Sequence, residues 1–268
     1  MNILITNDDG IFARGIRELV TALNESGMTV YVCAPEGQRS ATSHGITMSE
    51  NMQVEDVPLE GAEKAFHTTG LPADCVKIGM ELMERAGVKI DAVFSGINHG
   101  GNLGTDTIYS GTVAGALEGT LCGVPAVAVS VDSHEAEHFD LACEYAVQAA
   151  LTLEEQIAAG TADPKVALNI NVPNLPKDQV KGLRYTRLGE RKYDEEFAPA
   201  DGGQNMTVPG KFKYFGTPVI YEGLPDDIDV VALQDGYASI SPIHVDLTKH
   251  DMIEAIKTWG LDPEGGEK

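Results

Sequence analysis

The sequence has few basic residues. It contains 19 lysines and arginines against 41 aspartates and glutamates, which gives a formal net charge of −22. A protein with this balance repels the backbone of a nucleic acid, so DNA and RNA polymers are not expected partners. For the same reason, we expect that a small substrate bearing phosphate would need a metal cation at its binding site.

Long apolar runs, targeting signals and paired cysteines are also missing. No 18-residue apolar stretch is present, so no membrane-spanning helix is predicted. The first ten residues, MNILITNDDG, contain acids and no basic region, which does not fit a signal peptide. The four cysteines have no C-x-x-C spacing, which favours core thiols over disulfides or zinc ligands. These observations together predict a cytoplasmic protein without a membrane partner.

Two common nucleotide-binding motifs are absent as well. The sequence has no G-x-x-x-x-G-K-[ST], so it lacks a Walker-type phosphate loop. No G-x-G-x-x-G follows the first predicted strand, which argues against a dinucleotide enzyme. Any phosphate site must therefore use other residues.

Short apolar segments rich in β-branched residues alternate with longer segments of helical pattern. The strand segments are 2–6, 29–34, 91–95, 125–131 and 166–171. The helical segments are 14–26, 73–86, 111–121 and 135–158. This repetition predicts an α/β fold with a doubly wound, mostly parallel sheet.

The pattern changes near residue 173, where prolines begin to interrupt strand-like pieces at 182–187 and 212–221. A further strand-like piece at 237–241 and an amphipathic tail at 247–261 follow. We predict a catalytic core over residues 1–175 and a hairpin-rich segment over 176–268, whose strand and tail return to the core. Long hairpins and a tail are poorly buried alone, so oligomerisation is expected.

Polar residues follow several predicted strands, where ligands bind in open α/β sheets. Asp8 and Asp9 follow the first strand, and adjacent carboxylates repel each other unless a divalent cation binds between them. The alternative is that one of them caps the next helix. The loop after the second strand, 36–44, offers serine and threonine hydroxyls and Arg39 for a phosphate, although polar surface loops are common.

Two further segments have the composition of a ligand site. Asn98 and Asn102 lie among glycines after a later core strand, which favours a ligand loop over a tight packed turn. Ser110, Gly111 and Thr112 begin a predicted helix whose free backbone amides would suit a phosphate. An ordinary serine or threonine N-cap is the alternative for this segment.

The histidines leave several interpretations open. His134 and His138 satisfy the zinc-protease pattern H-E-x-x-H, but they follow Ser133, a predicted N-cap, so a solvated first turn is the favoured interpretation. A zinc peptidase built on this pair stays as a rival hypothesis. His44, His67 and His99 lie in or near polar loops, where they could assist catalysis or be structural.

These motifs, taken together, resemble the SurE family of 5′/3′-nucleotidases. The family pattern consists of N-D-D-G near the amino terminus, a serine loop after the second strand, S-G-I-N-x-G-x-N and Y-S-G-T-V. All four motifs are present here in that order, and they begin at residues 7, 36, 95 and 109. Similarity extends to 118–130, 169–173 and 235–242. Two departures, Ser241 where threonine is common and Ile228 before Asp229, concern local packing rather than chemistry.

The resemblance implies a set of site residues and an activity. The metal ligands would be Asp8, Asp9, Ser40 and Asn98, an oxygen-only set suited to one Mg²⁺ or Mn²⁺ per subunit. Asp8, Asp9 and Asn98 would be catalytic. Phosphate would be bound by Asn102, Ser110, Gly111 and Thr112.

The family similarity further implies a Rossmann-like core in a homodimer or homotetramer with exchanged carboxyl-terminal elements. It implies a 5′-nucleotidase, a phosphoric monoester hydrolase, that converts nucleoside monophosphates to nucleoside and phosphate, with some activity on 3′-nucleotides and short polyphosphate. We expect attack by a metal-bound water without a covalent intermediate. His44 and His99 are the candidates for the general acid.

A different phosphatase mechanism is disfavoured, while two rival functions stay open, of which the zinc peptidase built on His134 and His138 is the first. A haloacid-dehalogenase-like phosphatase would use an aspartyl nucleophile and a D-x-D spacing, whereas this chain has adjacent Asp8 and Asp9. A non-catalytic sensor could bind metal and nucleotide through the same loops.

Overall fold

A computed structural model describes residues 1–49, 51–194, 197–200, 210–214 and 216–261. Part of the predicted hairpin-rich segment, including Pro209, therefore lies outside the described residues.

A nine-stranded sheet forms the centre of the protein. Its strands, in spatial order, are β3 (Val54–Asp56), β4 (Lys64–Thr68), β2 (Thr29–Pro35), β1 (Asn2–Thr6), β5 (Ala92–His99), β6 (Ala126–Asp132), β7 (Ala167–Pro173), β13 (Ala238–Ile243) and β8 (Leu183–Tyr185). The six strands from β4 to β7 pair in parallel, while β3 and β13 run antiparallel to β4 and β7. The predicted doubly wound, mostly parallel α/β sheet is thus confirmed.

The order of the sheet reverses between β1 and β5. β1 pairs with β2 on one side and with β5 on the other, both in parallel, and Thr6 lies opposite Ser95. The chain therefore leaves these two neighbouring strands toward opposite sides and opens a crevice at their carboxyl ends. Asp8 and Asn98 both lie at this end of the sheet.

In the described residues, six α-helices accompany the sheet: α1 (Arg14–Glu25), α2 (Pro72–Arg85), α3 (Gly111–Leu121), α4 (Asp140–Ala159), α5 (Asp229–Gln234) and α6 (Ile253–Lys257). Buried side chains of α1 and α4 pack with Ile3 and Ile5 on one face of the sheet. Those of α2 and α3 pack with Leu4 on the other face. Since successive side chains of a strand point to opposite faces, one apolar strand such as β1 contributes to both cores.

The structure differs from the predicted elements in two places. β3 and β4 were not predicted, because β3 is only three residues long and mostly polar and no extended apolar run marks either strand. The predicted helix at 135–158 begins only at Asp140. The backbone amides of Glu137 and His138 instead donate to the side-chain oxygen of Asn174, which holds this segment as a turn.

The carboxyl-terminal segment contributes two strands to the main sheet, β8 and β13, and β13 corresponds to the strand-like piece predicted at 237–241. Two small antiparallel pairs lie outside it: β9 (Tyr193–Asp194) with β12 (Thr217–Pro218), and β10 (Phe197–Pro199) with β11 (Phe212–Tyr214). The predicted tail contains a 3-10 helix at His250–Met252 followed by the short helix α6, and neither has a buried residue. Across the described ranges, no helix has the length and apolar character that crossing a membrane requires.

Candidate active site at the carboxyl ends of β1 and β5

Asp8 is a buried carboxylate that follows β1. Its Oδ1 accepts a hydrogen bond of 2.5 Å from the hydroxyl of Thr112, at the start of α3. Burial raises the pKa of Asp8 to about 6; the hydrogen bond from Thr112 opposes this rise, and the neighbouring charge of Asp9 adds to it. No cationic side chain is among the groups that shift this pKa. A buried carboxylate without a positive partner is the environment that a bound cation would stabilise.

Asp9 lies beside Asp8 and is held by the residue that ends β5. Its Oδ2 accepts a hydrogen bond from the backbone amide of His99 at 3.1 Å and contacts the His99 Nδ1, also at 3.1 Å. The Asp9 side chain is 10% exposed. The tertiary structure therefore brings the ends of β1 and β5 together through this carboxylate.

Asn98 lies at the end of β5, and Ser40 lies in the loop that follows β2. The Asn98 Nδ2 donates to the carbonyl of Gly100 at 2.8 Å, which leaves the side-chain oxygen of Asn98 available to a ligand. Ser40 is exposed and follows Arg39, whose backbone amide donates to the carbonyl of Asp8 at 2.6 Å. Ala41 has a φ of 54°, a strained value for a residue with a side chain, and such strain often occurs at functional sites.

The amino terminus of α3 faces Asp8. A Cβ atom on Gly111 would lie 2.8 Å from the Cβ of Asp8, so only glycine allows this close approach. The Ser110 Oγ accepts a hydrogen bond from the backbone amide of Val113 and forms the N-cap. The helix dipole therefore places positive potential beside the two carboxylates and beside any phosphate bound near them.

Asn102 lies behind the crevice rather than at its surface. It is buried, its Nδ2 donates to the Oγ of Ser130, and its backbone amide donates to the Oδ1 of Asn171. Asn169 and Asn171 in turn donate to its carbonyl. These contacts anchor the loop that follows β5, and the role of Asn102 in binding phosphate stays a prediction. The buried asparagines of β7, unusual within an apolar strand, are the sequence signal for this network.

Asp229 is a buried structural carboxylate whose role the sequence analysis did not predict. This buried carboxylate accepts hydrogen bonds from the amides of Gly104 at 2.7 Å and Gly189 at 2.8 Å. Burial raises its pKa despite these bonds. Asp229 thus connects the loop after β5 to the carboxyl-terminal segment, and an acid at the start of the apolar helix α5 is the signal that could have identified it.

His44 and His99 lie in different surroundings. The His44 Nε2 is 2.7 Å from the Oε2 of Glu118, and Lys77 binds the other oxygen of Glu118 at 3.0 Å. Burial alone would raise the pKa of Glu118, but the hydrogen bonds from these two partners outweigh it and lower the pKa. His44 therefore contacts a carboxylate on α3, whereas His99 contacts Asp9.

A cavity of about 370 Å³ adjoins the amino terminus of α3. It includes Ser110 and His44 among its lining residues, and most of its surface is apolar, with contributions from Val113 and Leu117. A largely apolar cavity with a few polar groups is typical of a site for a small organic ligand. Since Ser110 directly precedes Gly111, the cavity begins next to the crevice that contains Asp8.

His134 and His138 do not form the helical zinc motif. They lie in the turn that precedes α4, and His134 is exposed, with its ring near Gly100. In the part of the chain that the structure describes, no three His, Cys, Asp or Glu side chains form a group that could hold a metal. The two carboxylates of the crevice would need amide or hydroxyl oxygens to complete a metal site.

Comparisons with known proteins identify relatives of this chain. The family model described as survival protein SurE matches residues 3–195. A protein named 5′-nucleotidase SurE from Symbiobacterium thermophilum is 40% identical over 264 residues, which cover 97% of this chain and 98% of that protein. A protein of the same name from Desulforudis audaxviator is 40% identical over 271 residues, which cover 99% of this chain and 100% of that protein.

A solved structure shows the same similarity in three dimensions. The crystal structure of the SurE protein from Aquifex aeolicus superposes with a TM-score of 0.79 at 32% identity, covering 97% of this chain and 99% of that one. The family match, the near-complete relatives and the shared fold lead to one conclusion: this chain belongs to the SurE family.

Proposed function

We propose that the chain hydrolyses the phosphomonoester of nucleoside monophosphates, using one divalent cation per subunit held by Asp8, Asp9, Ser40 and Asn98. One observation supports this most directly. Asp8 and Asp9 lie side by side in the crevice, and in the described part of the chain neither carboxylate forms an ion pair with a lysine or an arginine.

The residues of the crevice fit a magnesium or manganese ion. Carboxylate, amide and hydroxyl oxygens are the ligands these ions prefer, and no thiolate lies among the candidates. A cation would also stabilise Asp8, whose burial otherwise opposes its charged form. When bound, Mg²⁺ or Mn²⁺ would neutralise phosphate oxygens and lower the pKa of a water molecule.

The protein's own groups would orient the substrate. The amides at the start of α3 would attract the phosphate, because the amino terminus of a helix favours negative charge. Ser110 and Gly111 lie at this end of the helix, and Asp8 lies against it. The nucleoside would occupy the neighbouring cavity, whose 370 Å³ lies within the range of ligand pockets.

The chain is a 5′-nucleotidase, because relatives that are similar to it over nearly its full length have that name. The dependence on metal and the activity on 3′-nucleotides and short polyphosphate belong to the proposal. An aspartyl phosphate is not part of it, because both carboxylates are assigned to the cation.

The direct test is phosphate release from 5′- and 3′-nucleoside monophosphates with Mg²⁺, Mn²⁺ or EDTA. We expect release with either metal and none with EDTA. Glycerol 2-phosphate serves as a control without a base, and we expect it to react at least about tenfold more slowly in kcat/KM if the nucleoside binds in the cavity. Nucleotide binding without turnover at any metal concentration would instead indicate a sensor.

Replacing His134 and His138 together by asparagine should leave phosphate release within about twofold of wild type. Both residues lie in the turn that precedes α4 and neither is a proposed ligand of the cation, so their loss removes no group that the proposed reaction needs. The same double variant tests the rival peptidase, since zinc-dependent peptide cleavage by wild type that the variant lacks would favour a zinc site.

We also propose that the chain acts in the cytoplasm as a homodimer or homotetramer. The four cysteines are thiols rather than disulfides. Leu247 is 91% exposed and Trp259 is 59% exposed, and apolar side chains this exposed favour burial against another copy. A monomeric mass in light scattering at micromolar concentration would contradict the assembly.

A further inference from the structure

His99 contacts Asp9 through two separate groups. Its backbone amide and its Nδ1 both lie 3.1 Å from the same carboxylate oxygen, Oδ2. The backbone contact would be present with any residue at this position. The contact from Nδ1 depends on the histidine side chain, which therefore adds a specific donor to one oxygen of a proposed metal ligand.

The orientation of the His99 ring is fixed by its neighbours. The ring packs edge-on against Phe139, with centroids 5.2 Å apart and an interplanar angle of 67°. Phe139 is buried, and the guanidinium of Arg14 lies 4.9 Å from the centroid of its ring. With the ring held in this way, Nδ1 faces Asp9 and Nε2 faces away from it.

We propose that His99 is a positioning residue: its Nδ1 donates to the Oδ2 of Asp9 and orients the carboxylate so that Oδ1 is presented to the divalent cation. This inference rests on the proposed function. Its physical basis is that a metal ligand held by a second hydrogen bond loses less freedom when the ion binds, and such supporting contacts strongly affect metal affinity.

The arrangement at Asp8 supports the same interpretation. There the hydroxyl of Thr112 holds one oxygen of the carboxylate, as His99 does for Asp9. Each carboxylate thus has one oxygen bound by a side-chain donor. The general-acid role suggested by the sequence for His99 stays a separate prediction, because Nε2 is not the ring nitrogen that contacts Asp9.

A matched pair of substitutions separates the hydrogen bond from the packing. His99→Leu removes the donor, whereas His99→Asn places an amide nitrogen near the position of Nδ1. Both variants lose the contact with Phe139 and keep the backbone amide. We expect the dissociation constant for Mn²⁺, measured by electron paramagnetic resonance, to rise about tenfold or more in His99→Leu and to stay within about threefold of wild type in His99→Asn.

Activity measurements add a second readout. In His99→Leu, the Mn²⁺ concentration for half-maximal phosphate release should rise in parallel, while kcat at saturating Mn²⁺ should stay within a few-fold of wild type. Thermal unfolding without metal reports whether each variant folds, and His99→Ala is the alternative if leucine disturbs Phe139.

Several outcomes would overturn the inference. Unchanged Mn²⁺ affinity in His99→Leu would show that Nδ1 does not position Asp9. Equal weakening in the leucine and asparagine variants would assign the effect to the ring packing. If wild type itself binds no Mn²⁺, the proposed function fails and the inference fails with it, a result distinct from the first two.

Discussion

Asp9→Ala should lower metal-dependent phosphate release by about a thousandfold or more while the protein remains folded. The Asp9 carboxylate is one of two proposed anionic ligands, and its loss halves the negative charge that would hold the cation. The backbone amide of His99 would lose its acceptor, which costs about 1–3 kcal/mol, but Asp9 belongs to neither hydrophobic core of the sheet. Phosphate release from a 5′-nucleotide at several Mn²⁺ concentrations measures the effect.

Glu25→Ala is a suitable control for this variant. Glu25 is an exposed acid at the end of α1, so its replacement removes the same charge at a distance from the crevice. We expect it to behave as wild type. Full activity in Asp9→Ala, with Mn²⁺ binding retained, would mean that the metal site lies elsewhere in the chain.

Asp8→Asn should stabilise the metal-free protein at neutral pH. The pKa of Asp8 is raised from 3.8 to about 6, chiefly because the carboxylate is buried. Between these two pH values the folded protein binds more protons than the unfolded chain, so stability falls as the pH rises through this window. At pH 7.5 the charged carboxylate costs at most about 3 kcal/mol, which asparagine avoids while its oxygen still accepts from Thr112.

Urea unfolding in EDTA from pH 4 to 7.5 would measure this effect. The gain in the free energy of unfolding should be largest above pH 6 and should nearly vanish at pH 4. With Mn²⁺ present the order should reverse, because wild type gains stability from the bound ion and Asp8→Asn gains little. Asp56→Asn, at an exposed position in β3, is the control. A metal-free Asp8→Asn protein less stable than wild type at pH 7.5 would contradict the proposed cost of burial.

Such a result would connect stability to function. A carboxylate that destabilises the metal-free fold and is stabilised by a cation is typical of a binding site rather than of a structural one. The two substitutions therefore test different properties: Asp9→Ala tests turnover, and Asp8→Asn tests the energetic state of the site before the metal binds.

The sequence by itself determined the type of fold and most of the site. Apolar runs such as the one at β1 predict buried strands from local pattern alone, and parallel strands separated by helices allow few topologies. Polar residues that follow β1 and β5 could be assigned to one end of the sheet for the same reason. The placement of Asp8, Asp9 and Asn98 at one end of the sheet was therefore predictable without coordinates.

Only the tertiary structure decided how these residues are held. Asp9 contacts His99, Asp8 contacts Thr112, and Asn102 contacts Asn171, and each pair is separated by 69 to 104 residues. Local pattern contains no information about such pairs, because their geometry depends on strand register and helix placement. A contact that is distant in sequence also determines where α4 begins. The backbone amides of Glu137 and His138 donate to the side chain of Asn174, so these residues form a turn and the helix begins only at Asp140.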